Sequence, residues 1–314
     1  MPVPRLSGVF LPAGLLLVLL LAWLQPAPGS ALERAGLIPW MVATIFLVNG
    51  YQTRLRELPG GRTLIASSLI AVVIALLLAP FIGLFVTGMA GLPVAAAMGL
   101  VVMATVPPTL SSGIVMTRIA GGNAAKALFL TILLNLIGVV TVPYLLQLLL
   151  QSLGAVSLSP LSLLRQLLLI VVLPFAAGAL ARTWVRLPPR HWLLRYLPSL
   201  CVVATVWMAV SASAPALGRL DGGLLVTIAL ASLAIHASLL LLCLLVRPLY
   251  RAAPADWIAL LFPVSQKTLP VAVGILAGLD GSAGLALVAC ILFHFVQLFT
   301  DSVIAARLGR RRLS

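Results

Sequence analysis

The sequence predicts an all-α polytopic membrane protein, and three observations carry that prediction. Of 314 residues, 62% belong to the AVILMFWYC class and only 8% are charged, with a mean hydropathy of +1.20. A soluble domain needs about 25% charged residues to present a hydrated surface, and this chain has too few to cover one. The apolar residues come in long runs, not in the ten-residue alternating segments of an outer-membrane barrel. Helices must therefore do the spanning, because a helix satisfies its own backbone inside lipid. The third observation is that the few basic residues fall on one side of the spans these runs define.

Reading the runs against Pro, Gly and charge gives ten spans of about 20 residues. The first is Gly8 to Leu24, behind Arg5. It also resembles a signal peptide, since small residues follow at Ala27 to Ala31, but the apolar run exceeds an h-region of about 7–15 residues. Gly36 to Tyr51 lies between Arg34 and Arg54. Leu64 to Thr87 follows Arg62, and Leu92 to Ile119 ends at Arg118. Ala124 to Gln151 opens after the Gly121, Gly122 turn. In the second half the spans are Leu163 to Ala181, Tyr196 to Leu217, Leu224 to Val246, Trp257 to Leu279 and Ala283 to Ala306. Ten such spans leave no room for a soluble domain of any size.

The net charge of +14, with 20 Lys and Arg against 6 Asp and Glu, would suggest a nucleic-acid ligand in a soluble protein. Here it records topology instead. With the amino terminus inside, sixteen basic residues fall on the inner side: Arg5, Arg54, Arg56, Arg62, Arg118, Lys126, Arg182, Arg186, Arg190, Arg195, Arg247, Arg251, Arg307, Arg310, Arg311 and Arg312. Only Arg34, Arg165 and Arg219 fall outside. Cytoplasmic connections accumulate Lys and Arg, so both termini are expected in the cytoplasm, and a bacterial inner (plasma) membrane is the expected location. Cys201, Cys243 and Cys290 lie inside apolar runs without CxxC spacing, and so predict neither a disulfide framework nor a metal site.

Five spans on either side of the midpoint imply a further symmetry. An odd-numbered unit repeated in tandem crosses the membrane in opposite senses, so residues 1–151 and 152–314 read as two inverted repeats. The fourth and ninth spans correspond, and both are interrupted at mid-depth. Matching interruptions point to a binding site in such folds. In the fourth span Pro107, Pro108, Thr109, Leu110, Ser111, Ser112 and Gly113 remove two backbone donors and free carbonyls that lipid cannot solvate. A proline kink packed against neighbours is the blander reading, which the double proline and three hydroxyls disfavour.

The ninth span reads Phe262, Pro263, Val264, Ser265, Gln266, Lys267, Thr268, Leu269, Pro270. A mid-membrane Lys costs at least ~2.5 kcal/mol. The headgroups lie roughly 15 Å away along the helix, too far for easy snorkelling, so Lys267 demands a partner or a role. In the tenth span His294, Gln297 and Asp301 are spaced i, i+3, i+7 on one stripe. Lys267 with Asp301 is a candidate buried pair. Asn123 either caps the fifth span or joins Thr131 and Asn135 as a polar group of the first half. His236 and His191 receive no role.

The run Pro108, Thr109, Leu110, Ser111, Ser112, Gly113, Ile114, Val115, Met116, Thr117, Arg118, Ile119, Ala120, Gly121, Gly122, Asn123 resembles the fourth-helix signature of the bile acid:sodium symporter superfamily. More closely, it is similar to the bile acid symporter-like branch. Ser265 through Leu269, and His294 through Leu298 with Asp301 and Ser302, resemble that branch's later signatures. The resemblance implies a panel domain and a core domain, the core holding spans three to five and eight to ten. The fourth and ninth helices would be unwound and cross at their centres. It implies two Na⁺ behind the crossing and an organic anion in front of it. Carried over by position, Asn123 and Thr131 match one sodium site and Gln266 the other.

Two departures bear on the coupling ion. Where sodium-coupled members have a Glu, four residues before the glutamine, this chain has Phe262; a serine four residues before the matched threonine is Ala127. Next to Gln266 stands Lys267, a fixed cation that would repel mobile ones in a low-dielectric site.

The sequence therefore predicts a secondary transporter of an organic anion, bile acid, sterol-like or otherwise carboxylated, working by alternating access. The substrate would meet Pro108, Thr109, Ser111, Ser112, Ser265, Gln266, Lys267, Thr268, His294, Gln297 and Asp301. No cofactor is expected beyond Na⁺ or H⁺ as coupling ion. The partners are the small-molecule anion and the lipid bilayer, with no nucleic acid, and the oligomeric state is left open. A regulatory or ion-homeostasis protein of the same fold is the alternative. An intramembrane hydrolase built on Ser112, His294 and Asp301 is disfavoured, because no nucleophile motif surrounds the serine.

Overall fold

A computed structural model describes residues 5–53, 62–154, 158–185, 188, 191–217, 221–250, 253–279 and 283–310. The basic residues Arg54, Arg56, Arg186, Arg190, Arg219, Arg251, Arg311 and Arg312 lie outside the described residues. The described residues are helical and contain no strand. In chain order the first half holds α1 (Arg5–Leu24), α2 (Pro26–Arg34), α3 (Ile38–Gln52), α4 (Arg62–Val72), α5 (Ala79–Met89), α6 (Val94–Thr105), α7 (Ser112–Ile119) and α8 (Ala124–Ser152). The second half holds α9 (Pro160–Leu167), α10 (Leu173–Trp184), α11 (Trp192–Leu217), α12 (Gly222–Leu245), α13 (Arg247–Tyr250), α14 (Pro254–Ser265), α15 (Leu269–Ala277) and α16 (Ala283–Arg310).

Among the described residues seven helices are long and apolar enough to cross a membrane: Thr63–Met89, Ala124–Ser152, Pro160–Trp184, Tyr196–Ala214, Gly222–Leu245, Pro254–Ala277 and Gly284–Arg310. The chain is a multi-pass membrane protein. An eighth crossing is formed if the pair Gly14–Leu24 and Pro26–Arg34, bent by 99°, counts as one. Pro26 sits at the start of α2, where its missing N–H costs least, so the chain turns there. The other expected spans that fall short of that length are the second, whose helix α3 has 15 residues, and the fourth. The latter is divided into helices of 12 and 8 residues.

Two helices change winding where a proline follows. Val73–Leu78, between α4 and α5, is a π-helical segment, and the Ala79 amide donates to the Ile74 carbonyl. Leu168–Val172, between α9 and α10, is another, with the Leu173 amide on the Leu168 carbonyl. In each case the next residue, Pro80 or Pro174, has no N–H to give. The carbonyls of Ala75 and Leu169 thereby lose both the i+4 and the i+5 amide as partners.

The chain forms two compact units. The first comprises Met1–Thr53, Leu161–Leu220 and Pro270–Val288. Within it α3 packs on α10 through glycines: a Cβ on Gly178 would lie 1.9 Å from the Leu47 carbonyl oxygen, and one on Gly50 would lie 2.0 Å from that of Phe175. Small residues at a crossing let helix backbones approach in lipid, where apolar burial alone drives no association. Arg182 then closes the end of α3, its guanidinium donating to the carbonyls of Tyr51 and Gln52 at 3.1 Å each. Helix C-termini leave such carbonyls unpaired. Gln166 on α9 donates to the Gly274 carbonyl of α15 at 3.1 Å.

The second unit comprises Arg54–Pro160, Asp221–Leu269 and Ala289–Ser314. Its apolar core joins Ile74, Leu130, Leu134, Leu239, Leu261 and Phe262. Every residue from Trp257 to Ser265 on α14 is buried, as are Met98 to Thr105 on α6. A helix that is buried all round sits inside its bundle, and these two helices carry the interruptions.

Candidate functional site

α6 ends at Thr105, and Val106 turns to extended backbone (φ −62°, ψ 151°). Residues 107–109 are not helical, and α7 begins at Ser112. Likewise α14 ends at Ser265, Gln266 is extended (φ −77°, ψ 152°), and α15 begins at Leu269. Both breaks leave backbone groups without helical partners, and inside a bundle these must be paired. The pairing defines the site.

The breaks meet each other directly: the Thr268 amide donates to the Pro107 carbonyl at 3.0 Å. Asn135 of α8 donates to the Pro108 carbonyl at 3.0 Å and to the Thr131 carbonyl at 2.8 Å. Gln297 of α16 grips Lys267 from both sides. Its Oε1 accepts from the Lys267 amide at 2.9 Å and its Nε2 donates to the Lys267 carbonyl at 2.7 Å. The Nε2 also lies 2.9 Å from His294 Nδ1. With an amide donor on Nδ1, the neutral imidazole carries its proton on Nε2. His294 is 4% exposed, and that Nε2 has no hydrogen-bond partner among the described residues.

Lys267 is wholly buried. Its ammonium donates to the Ala75 carbonyl at 2.6 Å, the acceptor that Pro80 and the π segment leave free. No carboxylate pairs with it among the described residues, so the expected Lys267–Asp301 pair is not formed. Asp301 is bound elsewhere. Its Oδ2 accepts from Gln266 Nε2 at 2.7 Å, and its Oδ1 faces His236 Nε2 at 3.0 Å. His236 Nδ1 in turn faces the Ser265 carbonyl at 3.2 Å. The chain continues outward: Gln266 Oε1 accepts from the Ser112 hydroxyl at 2.7 Å, and Ser112 reaches Thr109 Oγ1 at 3.4 Å. Ser112 and Thr109 are half-buried, whereas Gln266, Asp301 and His236 are fully enclosed.

Of the residues the sequence points to, Pro108, Thr109, Ser112, Gln266, Lys267, Thr268, His294, Gln297 and Asp301 thus form connected groups around the two breaks. Ser111 is exposed, and as the residue before α7 its side chain caps nothing. Ser265 contributes its carbonyl to His236, while its hydroxyl reaches only the Phe262 carbonyl at 3.5 Å. Asn123 and Thr131 do not come together. Asn123 caps α8 by accepting from the Lys126 amide at 3.1 Å and donates to Asp256 at 3.0 Å, beside a Lys126–Asp256 salt bridge of 3.3 Å. Thr131 donates to the Ala127 carbonyl of its own helix at 2.8 Å. Phe262 is fully buried in the apolar core. Ser112, His294 and Asp301 are not joined as a triad: the histidine on Asp301 is His236, and Ser112 bonds to Gln266.

His236 and Asp256 are the residues sequence reasoning passes over. For His236 the signal was present, since an ionisable group inside a span is a functional candidate by default. What obscured it was the absence of a charged neighbour on its own helix face, where the residue one turn before is only Ser232.

A family model described as the SBF-like CPA transporter family matches residues 10–310. The chain is 26% identical to the probable sodium/metabolite cotransporter BASS4, chloroplastic, of Arabidopsis thaliana, over 95% of this chain and 72% of that protein. It is 28% identical to the protein of the same name from Oryza sativa subsp. japonica, over 94% and 74%. It is 27% identical to the sodium/bile acid cotransporter 7-B of Xenopus laevis, over 99% and 94%.

Proposed function

The chain belongs to the SBF-like CPA transporter family, within the bile acid:sodium symporter superfamily, and on that premise we propose that it carries an organic anion across the membrane by alternating access. In this reading its ten spans form two inverted five-helix repeats, 1–151 and 152–314, with both termini in the cytoplasm of a bacterial inner membrane. Spans three to five and eight to ten make a core domain, and the others a panel. The substrate is a bile acid, a sterol-like anion or another carboxylated metabolite, a reading supported by relatives named sodium/metabolite and sodium/bile acid cotransporters.

One observation carries the anion: the breaks hold a fully buried ammonium, Lys267, with a single carbonyl acceptor. Nearby on α16, where Gln297 links it to Lys267, His294 offers a buried N–H with no acceptor among the described residues. A buried cation and an unpaired donor are costly unless the site's occupant supplies acceptors. The amino-terminal ends of α7 and α15, which start at the breaks, add positive partial charge. Thr109, Ser111, Ser112, Ser265 and Thr268 orient the substrate, and Gln266, Gln297 and Asp301 hold the breaks.

Lys267 supplies the positive charge that mobile sodium supplies in sodium-coupled relatives. Phe262, packed in the apolar core, offers no ligand where those relatives have a carboxylate. Coupling therefore runs to protons or is absent, not to Na⁺. The Phe262 substitution also supports a second reading, an ion-homeostasis or regulatory protein of this fold without symport.

The decisive experiment is uptake into proteoliposomes, using taurocholate and a pool of carboxylated metabolites under separately imposed Na⁺ and H⁺ gradients. Saturable uptake that ignores Na⁺ and disappears in Lys267→Ala is the expected result. Sodium-driven uptake, or uptake unchanged in Lys267→Ala, overturns the assignment. Absence of uptake under any gradient favours the second reading.

A further inference from the structure

α7 and α16 run side by side to a shared end. The Ser302 hydroxyl reaches the Met116 sulfur at 4.0 Å, and further along α16 a Cβ on Gly309 would lie 2.5 Å from the Ile119 carbonyl oxygen. Any side chain at 309 would collide with that backbone, so the glycine lets the last turn of α16 close on the end of α7. The contact gathers three arginines. Arg118 and Arg310 each stand one residue from it and Arg307 two residues from it, and all three are exposed.

No carboxylate among the described residues of the same unit is free to neutralise them. Asp301 is enclosed and bound by Gln266, Asp256 pairs with Lys126, and Asp221 caps α12. The open carbonyls at two helix ends favour nearby cations, but their partial charge does not balance three guanidiniums. The counter-charge comes from outside the chain.

The surface beside the arginines decides what kind of anion fits. On α7, Gly113 and Thr117 are buried, whereas Val115 and Ile119 are exposed. On α16, Asp301 and Ala305 are buried, whereas Phe299 and Val303 are exposed. Ala120, at the end of α7, and Ala305 belong to one core, so the buried faces share one side of the helix pair and the exposed faces the other. Positions 299, 303 and 310 are spaced by four and seven, which keeps Arg310 on the apolar stripe of α16. Positions 115 and 119 form the matching stripe beside Arg118. An apolar strip thus follows the helix pair and ends at the guanidiniums.

We propose that this surface binds an anionic phospholipid, with its phosphate on Arg118, Arg307 and Arg310 and its acyl chains along Val115, Ile119, Phe299 and Val303. Guanidinium forks match phosphate oxygens in bidentate geometry, and basic clusters at the ends of membrane helices attract anionic headgroups. A soluble phosphate would use the arginines alone; the strip leading up to them selects an amphiphile. A headgroup held by Arg118 and Arg310 ties α7 to α16. α7 has only 8 residues and is about 12 Å long, and Ser112 at its other end is bonded to Gln266. The lipid therefore braces the short helix that leads out of the α6–α7 break. This surface is separate from the buried groups around Lys267 and does not depend on the transport reading.

The test is native mass spectrometry of the full-length protein in detergent, titrated with phosphatidylglycerol or with phosphatidylcholine of the same acyl chains. With about fivefold contributed by each arginine, wild type is expected to prefer phosphatidylglycerol by about 100-fold. The triple variant Arg118→Gln/Arg307→Gln/Arg310→Gln should lose that preference, and Arg34→Gln/Arg165→Gln, at exposed arginines of the other unit, should keep it. Equal binding of the two lipids by wild type overturns the proposal. So does an unchanged preference in the triple variant, which moves the lipid to Arg311 and Arg312, the next arginines in the sequence. Displacement of the lipid by inorganic phosphate refutes a lipid occupant and leaves a simple anion site.

Should the triple variant fail to fold, wild type decides. Phosphatidylglycerol with a photoreactive acyl chain, diluted in phosphatidylcholine, should label peptides containing residues 115–119 and 299–303 above all others. Labelling spread evenly over the exposed helices overturns the site.

Discussion

Gln297→Leu is expected to destabilise the protein more than any comparable change on α16, because of what the glutamine leaves behind. The side chain is fully buried. It satisfies the Lys267 amide at 2.9 Å, the Lys267 carbonyl at 2.7 Å and His294 Nδ1 at 2.9 Å. Leucine nearly fills the same volume, so little packing is lost and water gains no room to replace the amide. Three buried polar groups lose their partner, at about 1–3 kcal/mol each. Allowing His294 to rotate toward another acceptor, the cost is about 4 kcal/mol. By the usual scaling this lowers the melting temperature by about 10 °C. Thermal unfolding in detergent, followed by intrinsic tryptophan fluorescence, reads the difference. Gln297→Glu serves as the comparison, because it keeps the acceptor for the Lys267 amide and should fall between wild type and leucine. If Gln297→Leu melts within about 2 °C of wild type, the backbone of the break is not held by this side chain, and the pairing scheme of the site is wrong.

Three other outcomes follow from the same reasoning. Lys267→Met removes a buried ammonium at the cost of one orphaned carbonyl, so stability should change by less than about 2 kcal/mol while anion uptake is lost; a collapse in stability would mark the lysine as structural. Gly178→Ala places a methyl 1.9 Å from the Leu47 carbonyl oxygen and should cost about 1–3 kcal/mol, whereas Gly88→Ala, with nothing within 4 Å, should be neutral or stabilise by up to about 1 kcal/mol in the same melt. Asn123→Ala should cost about 1 kcal/mol through the lost cap, and a cycle with Asp256→Asn should show coupling because Asn123 donates to that carboxylate.

What could be read from the sequence was what local chemistry dictates. Pro107 and Pro108 remove donors wherever they stand, so the interruption of the fourth span was legible, as was that of the ninth from Pro263 and Pro270 around polar residues. The stripe His294, Gln297, Asp301 was legible because helical spacing is fixed. Its partners were not, since they depend on which helix lies opposite. Asp301 and Lys267 invite pairing by charge, yet Asp301 meets His236, sixty-five residues away in sequence, and Lys267 meets a carbonyl on another helix. That carbonyl had a local signal after all. A proline following an apolar run inside a span frees an acceptor a turn earlier, and Pro80 does so for Ala75. Reading it requires knowing that the turn will widen to a π segment rather than kink, which packing decides. The same limit applies to length: α3 and the two pieces of the fourth span are shorter than a membrane-crossing helix, and hydropathy cannot distinguish a broken span from a whole one.

The way the breaks are paired has a consequence for motion. A helix holds itself by bonds within one segment, and opening it requires breaking several of them together. At residues 267 and 268 the backbone is held instead by groups on other elements: Gln297 of α16 on Lys267, and the Pro107 carbonyl on Thr268. At Pro108 the holder is Asn135 of α8. Each hold is one or two hydrogen bonds, worth roughly 0.5–1.5 kcal/mol net apiece. That is small beside the cost of melting a helix inside lipid, where every unpaired group costs several kcal/mol. A change of a few kcal/mol at the site, such as an anion settling on Lys267 and His294, is therefore large enough to exchange one set of holds for another without unwinding any helix. In the transport reading proposed above, the proline-rich interruptions would serve as joints, held in position by the polar residues of α8, α12 and α16.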